Sequence, residues 1–367
     1  MLAIGSLGSL HPFLALALGR EGMAPATISA LLALFPAGLL ASGPLFAALT
    51  ERSGRTGPWL RAAAILAAVS AAAMALAPGP VVLAVALGAF ALLRAPLYPL
   101  VDALVLGALG ARRDRYGQLR LWGSLAFIVA VQVVGAAVER WPRAPQATTA
   151  ALMAGCALLA FSMPEPPAEA AAALRARAGL LRDPSLRVLW PVATLLGLAT
   201  SMYDFFFAVH LEALGGAAGL AAVAMGGGVA LEVAVMAVAP ALVGRFGAVA
   251  LIGFAAAVGV VRWVATAMLR EPVWVAALQS LHGLSFGLFW VAAMAFVGER
   301  APPGRRTAAT ALLMATNAGA GPLTAMPLAA WVLPTFGTEA LFVVSAVASV
   351  LAFLTLSLGS RSGNMGK

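Results

Sequence analysis

The chain has 367 residues, of which 23 are Lys or Arg and 14 are Asp or Glu, and 62% of it is hydrophobic, with a mean hydropathy of +0.97. Water-soluble domains run at about 45–50% apolar and about 25% charged, so a charged content of 10% excludes a soluble fold and points to a polytopic membrane protein. The net charge of +9 does not make it a nucleic-acid binder, because the basic residues fall in short clusters between apolar runs, as the positive-inside bias of membrane proteins requires.

A bilayer core about 30 Å thick takes roughly 20 apolar residues per helical span. Apolar runs bounded by Gly, Pro and charge fall at 1–19, 26–49, 59–77, 81–110, 118–138 and 145–163, then at 188–211, 218–243, 247–268, 272–298, 307–333 and 338–358. This is an all-α membrane protein of twelve expected spans. The first run has no basic leader and carries His11, so it reads as a span despite the cleavage-like Ala15-Leu16-Ala17. Met1 stands almost inside the membrane, which leaves a start codon upstream open.

The arginines alternate between connections. Arg52/Arg55, Arg112–Arg115, Arg175–Arg187, Arg245, Arg300–Arg306 and the Arg361/Lys367 tail share one side; the other side has only Arg20, Arg140, Arg143 and Arg270. The charge bias makes the first set, and both termini, cytoplasmic in a cytoplasmic (inner) membrane. The connection 164–187, with Pro164, Pro166, Pro167 and four arginines, divides the chain into six-span halves at 1–163 and 188–367, the latter ending in a short cytoplasmic tail. Arg52-Ser53-Gly54 recurs as Arg245-Phe246-Gly247, and Arg112-Arg113 as Arg305-Arg306, both at an offset of 193. Parallel six-span repeats are a transporter design in which two halves rock around a midplane cavity.

Charges inside spans are costly, at least about 2.5–3.5 kcal/mol by insertion scales, and mark function. Six occur: Arg94, Asp102, Arg120, Asp204, Glu232 and Arg262. Their balance of three and three suggests internal pairing. Arg94, Tyr98 and Asp102 are four apart and share a helix face. An Asp102–Arg120 pair on adjacent spans would clamp a solute, with the carboxylate accepting from hydroxyls and the guanidinium forking onto carboxylate or sugar oxygens. Its alternative is a static buried bridge. Asp204, Glu232 and Arg262 lie on successive spans, where separating carboxylate from cation loads and releases a proton. Glu232 is the expected carrier, with Asp204 next. His282 titrates or donates a hydrogen bond, and Trp122, Phe127, Tyr203, Phe205, Phe206, Phe207, Phe289 and Trp290 offer stacking faces, about half of them expected to be filler. His11 and His210 carry less weight, and no two histidines have metal-ligand spacing. Cys156 is the single cysteine, so no intrachain disulfide forms. Gly226-Gly227-Gly228 sits inside an apolar span without the Gly-Lys-Ser/Thr of a phosphate loop. No cofactor is expected, and an ion gradient supplies the energy.

The segment Ala47-Ala48-Leu49-Thr50-Glu51-Arg52-Ser53-Gly54-Arg55 resembles the signature loop of the major facilitator superfamily, G-x-L-A-D-R-x-G-R, with Ala47 for the first Gly and Glu51 for Asp. Glu51, Arg52, Gly54 and Arg55 are then a cytoplasmic gate. Arg115-Tyr116-Gly117-Gln118-Leu119-Arg120-Leu121-Trp122-Gly123-Ser124, with Asp102 upstream, resembles the oligosaccharide/proton symporter branch of lactose permease, and still more its phenylpropionate-transporter relatives. On that resemblance Asp102 and Arg120 are the span-four and span-five pair, and Phe127 replaces a sugar-stacking tryptophan. Tyr203-Asp204, Glu232, Arg262 and Leu281-His282 match functional positions of the second half. Gln279 departs from a lysine and Ser285 from the carboxylate that drives proton coupling. The expected partners are a small-molecule substrate, protons and the lipid bilayer, with no nucleic acid, and the working unit is a monomer. Proton-coupled import of an organic acid, or next a sugar or nucleoside, leads over drug or metabolite export and over a non-transporting receptor. No nucleophile, base and orienting group assemble as in an enzyme.

Overall fold

In hydrocarbon a backbone without sheet partners satisfies its N–H and C=O groups only as helix, and helix is all the regular structure among the described residues of this computed structural model, 1–109, 116–163 and 179–361. The helices are α1 (Leu2–Arg20), α2 (Pro25–Ser53), α3 (Gly57–Leu76), α4 (Pro80–Arg94, resuming as Leu97–Leu109), α5 (Tyr116–Ala137) and α6 (Ala144–Ala160). Then come α7 (Leu189–Ala213), α8 (Ala218–Phe246), α9 (Ala248–Met268), α10 (Pro272–Arg300), α11 (Arg306–Met314, resuming as Gly321–Phe336) and α12 (Thr338–Arg361). Eight of them, α1 to α3, α7 to α10 and α12, are long and apolar enough to cross a membrane; Pro80–Arg94, Leu121–Ala137 and Ala144–Ala160 are shorter apolar helices. The expected connection 164–187 lies outside the described residues up to 178, as do Arg112–Arg115, Arg175 and the tail beyond 361.

Proline sits in the first turn of α2, α3, α4, α6 and α10, where its missing N–H has no intrahelical partner to lose. Pro96 acts differently: the span expected at 81–110 breaks between Arg94 and Leu97, because an interior proline removes a hydrogen bond and clashes with the preceding turn. The span expected at 272–298 is likewise not one regular helix. It contains a 3-10 turn, Leu278–Leu281, and a π turn, Gly283–Gly287, and α11 has a second π turn at Ala315–Ala320. Hydropathy is blind to these changes of pitch.

Helices α1 with α5 and α6, α3 with α6, and α2 with α4 pack together; six helices later, α7 packs with α11 and α12, α9 with α12, and α8 with α10. The turns repeat too. Gly22 and Gly215 adopt φ of 82° and 84°, and Gly54 and Gly247 adopt 65° and 80°. Both pairs are separated by the sequence offset of 193, and each needs glycine because L side chains rarely adopt positive φ. Between the two sets of six, α1 meets α7, α5 meets α8 and α2 meets α11.

Among the described glycines the closest helix approach is at Gly197, where a Cβ would lie 2.0 Å from the Asn317 carbonyl oxygen on the π turn of α11. Asn317 Nδ2 donates back across this contact to Ala193 O at 3.0 Å. Gly197→Ala is therefore expected to destabilise by about 1–3 kcal/mol through overpacking, read as a lowered melting temperature of the purified protein. An unchanged melting temperature would mean that α7 and α11 separate freely.

Candidate functional site

Arg262, on α9, is completely buried. Its Nε and Nη2 donate to Gln279 Oε1 at 3.0 and 2.6 Å, and Nη1 reaches Ser285 Oγ at 3.0 Å and His282 Nδ1 at 3.1 Å. The guanidinium also lies over the rings of Tyr203 and Trp263, 4.4 and 4.1 Å from their centroids, a cation–π contact that is strongest when desolvated. Gln279 Nε2 donates to Val275 O at 2.9 Å, which fixes the amide with its oxygen toward Arg262.

The irregular stretch of α10 explains how three residues spaced by three meet one cation. The 3-10 turn passing into the π turn brings Gln279, His282 and Ser285 to the same side. Helix α8 approaches closely, since a Cβ on Gly283 would fall 2.9 Å from Leu231 O and 3.0 Å from the Glu232 backbone. That proximity lets Glu232 Oε2 meet His282 Nε2 at 3.1 Å.

Arginine has donors only. His282 Nδ1 must therefore accept from Arg262, so the ring proton sits on Nε2 and is donated to Glu232. The chain of hydrogen bonds has a direction, from Arg262 through neutral His282 to the Glu232 carboxylate. A direct Glu232–Arg262 pair, suggested by the balance of charges, is not what forms: neutral groups hold the cation and the histidine relays it. Asp204, partly exposed on α7, lies within electrostatic reach of both Arg262 and Glu232, and among the described residues no hydrogen bond or ion pair holds it. Tyr203, His282, Phe286 and Trp290 form a run of ring contacts with centroids 5.4, 5.3 and 6.3 Å apart.

In the first six helices Arg94 Nη1 donates to Tyr98 Oη at 2.6 Å, and that hydroxyl donates to Ala3 O at 2.6 Å. The expected Arg94–Tyr98 face thus survives the break at Pro96. Asp102 is partly exposed, whereas the side chain of Arg120 lies outside the described residues. Phe127 serves α1–α5 packing, its backbone pressed against Gly8.

Trp122 does not join the site. It is 52% exposed on a face of α5 shared with Leu125, Val129 and Val133, a helical stripe of the kind that meets lipid. His210 is structural: buried, it bonds Thr338 Oγ1 at 2.9 Å and Thr266 O at 3.2 Å. Glu51, Arg52, Gly54 and Arg55 lie exposed at the end of α2, where Gly54 caps the helix.

The end of the bundle that carries Arg20 is tied across the two sets of helices. Arg20 on α1 pairs with Glu212 on α7, and Glu139 Oε1 accepts from the Ala218 N–H at the start of α8 at 2.8 Å. Arg143–Glu21 and Arg270–Glu339 pair at the same end. Sequence reasoning missed Gln279 and Ser285 as ligands of Arg262, treating them only as departures; their spacing of three around His282 was the available signal.

A family model described as the MFS_1 like family matches residues 1–344. Maltose permease of Geobacillus stearothermophilus is 30% identical over 365 residues, 96% of this chain and 91% of that protein. The "Probable 3-phenylpropionic acid transporter" of Escherichia coli (strain K12) is 29% identical over 306 residues, 80% and 79% of the two chains. Among solved structures, the nucleoside transporter NupG superposes with a TM-score of 0.83 at 15% identity, covering 98% of this chain and 96% of that one. The D-xylose-proton symporter gives 0.72 at 16%, covering 97% and 94%. At such identities the superpositions establish a shared fold.

Proposed function

The chain belongs to the MFS_1 like family and is a multi-pass membrane transporter of the major facilitator type; on that premise we propose that it couples proton movement to the import of a small organic solute by alternating access. The directed hydrogen bonds from Arg262 through His282 to Glu232 carry this reading. Glu232 is the acceptor at the end of the chain and takes the proton. A proton arriving instead at His282 Nδ1 would displace Arg262, so loading at either group rearranges the contact between α8, α9 and α10. Asp204, within reach of the same cation, receives it when the first arrangement opens.

The substrate class is an aromatic or other organic acid, supported by Arg94 and Arg262 beside ring-lined helices and by the similarity to the phenylpropionic acid transporter. A sugar is the second reading, favoured by the similarity to maltose permease over nearly its whole length. Proteoliposomes offered a panel of aromatic acids, sugars and nucleosides test both. Solute-driven alkalinisation of the outside medium supports the proposal, and solute uptake with no proton movement defeats symport.

The sparse arginines at the tied end make it the outer side of a cytoplasmic membrane. The Arg20–Glu212 pair then latches the outer gate across the 1–163 and 188–367 halves. Exposed pairs contribute only about 0–1 kcal/mol, so Arg20→Gln is expected to raise outward opening by a few-fold rather than abolish transport. A cysteine placed below the latch in a Cys156→Ser background should then react faster with an impermeant maleimide; an unchanged rate removes the latch from the mechanism.

A further inference from the structure

The buried side-chain nitrogens His11 Nε2 and Arg94 Nε have no hydrogen-bond partner. His11 lies between rings of opposite halves, edge-on to Phe35 of α2 at 4.5 Å and tilted on Phe205 of α7 at 4.8 Å. Phe35 in turn stacks on Phe205 at 5.9 Å and meets Phe90 edge-on at 6.5 Å. The Arg94 guanidinium lies over Phe90, 5.6 Å from its centroid, and within electrostatic reach of His11.

The placement of His11 along its helix matters as much as its contacts. From Leu10 to Leu18, α1 is buried except at His11. Ala3, Leu7 and His11, four residues apart, are partly exposed, so the accessible stripe enters from the Met1 end and stops at the imidazole. On α7 a matching stripe of Thr200 and Asp204 stops before buried Phe205–Ala208. His11 and Asp204 are separated by 193 residues, the offset of the repeat, and so hold equivalent positions at the inner ends of the two stripes.

A buried donor left without a partner costs about 1–3 kcal/mol, and such groups in native structures call for an explanation. Here two occur around one cluster of rings, Phe35 and Phe90 of one half and Phe205 of the other. With the His11 ring proton on Nε2, a nitrogen of a cation and an imidazole N–H together form a donor pair for an anionic oxygen, and the surrounding aromatic faces suit a ring.

We propose that His11 Nε2 and Arg94 Nε form a carboxylate-binding subsite of the first half, with Phe35, Phe90 and Phe205 packing the ring of an aromatic acid. The inference rests on the transporter reading above and deepens it by making His11 a substrate-contact residue. Rocking of the halves carries Phe205 toward or away from His11, so the subsite is covered in one state and open in the other.

The test uses the full chain in lipid nanodiscs and compares equilibrium binding of 3-phenylpropionate, its neutral alcohol 3-phenylpropan-1-ol, and maltose. His11→Phe keeps the packing and removes the nitrogen. It should lower the acid-to-alcohol affinity ratio about 10-fold, the effect of one lost hydrogen bond of about 1.4 kcal/mol, and raise the melting temperature without ligand. His11→Gln should keep part of the preference, and Arg94→Gln should lose it. On the unaltered protein, the acid should protect His11 from diethylpyrocarbonate, followed on the His11 peptide. Equal losses for acid and alcohol, an unchanged ratio, no protection, or binding of maltose alone each overturn the subsite. The outcomes separate from those of the functional proposal: acid binding at His11 with no proton movement sinks symport and leaves the subsite, whereas coupled transport indifferent to His11 sinks the subsite alone.

Discussion

Glu232→Gln is expected to reduce solute-driven proton uptake to the level of protein-free liposomes while solute counterflow continues. The glutamine oxygen can still accept from His282 Nε2, which stands 3.1 Å from the present carboxylate oxygen, so the α8–α10 contact keeps its geometry and loses only the carboxylate. Counterflow requires binding and rocking but no net proton transfer. In the unaltered protein, uptake should rise as the outside medium is acidified, because the proton is a co-substrate; in the variant, exchange should be flat over the same range. Persistent alkalinisation in Glu232→Gln would place the carrier elsewhere, and Asp204→Asn would then be expected to abolish it.

Much of this arrangement was legible beforehand because membrane cost is a strong filter. Charges at Arg94, Asp204, Glu232 and Arg262 stood out against apolar runs, and the helices enclosing them followed from length and hydropathy. The repeat offset could be read from loop arginines, and the turns at Gly22/Gly215 and Gly54/Gly247 keep it. Helix pitch was not legible. The π and 3-10 turns of α10 lie where α8 approaches closely at Gly283, a tertiary fact with no signature in composition. The exposure of Trp122 was not legible for a related reason: an aromatic one turn from polar residues is indistinguishable in sequence from one on an exposed apolar stripe until the rotation of α5 is known. Likewise, counting three cations against three carboxylates said nothing of which pairs form, and Arg262 took neutral ligands.

Those neutral ligands alter what Ser285 means. With a carboxylate at that position Arg262 would be neutralised within its own pocket. With Ser285, Gln279 and the accepting nitrogen of His282 around it, its charge stays uncompensated at contact distance and acts on Asp204 and Glu232 instead. The departure from the symporter pattern therefore leaves the cation's influence to fall on α7 and α8.

This distribution makes Arg262 the position where substitution should cost most. Arg262→Leu removes the buried cation, strands the buried Gln279 Oε1 and His282 Nδ1, and leaves the partly exposed Asp204 and Glu232 without a nearby positive charge. Removing one partner from a buried charged network costs about 3–5 kcal/mol, so the variant should melt well below the unaltered protein and accumulate poorly in membranes. Arg262→Lys keeps the charge but offers no planar fork to Gln279 and Ser285, and should recover part of the stability. The decisive comparison adds Asp204→Asn to Arg262→Leu. If the cation's main stabilising work is to balance the partly exposed Asp204, the double variant should be more stable than Arg262→Leu alone, with a coupling energy of about 0.5–3 kcal/mol in a double-mutant cycle. Purely additive melting shifts would show that Arg262 is retained for its hydrogen bonds to α10 and that Asp204 answers to solute or solvent rather than to the cation.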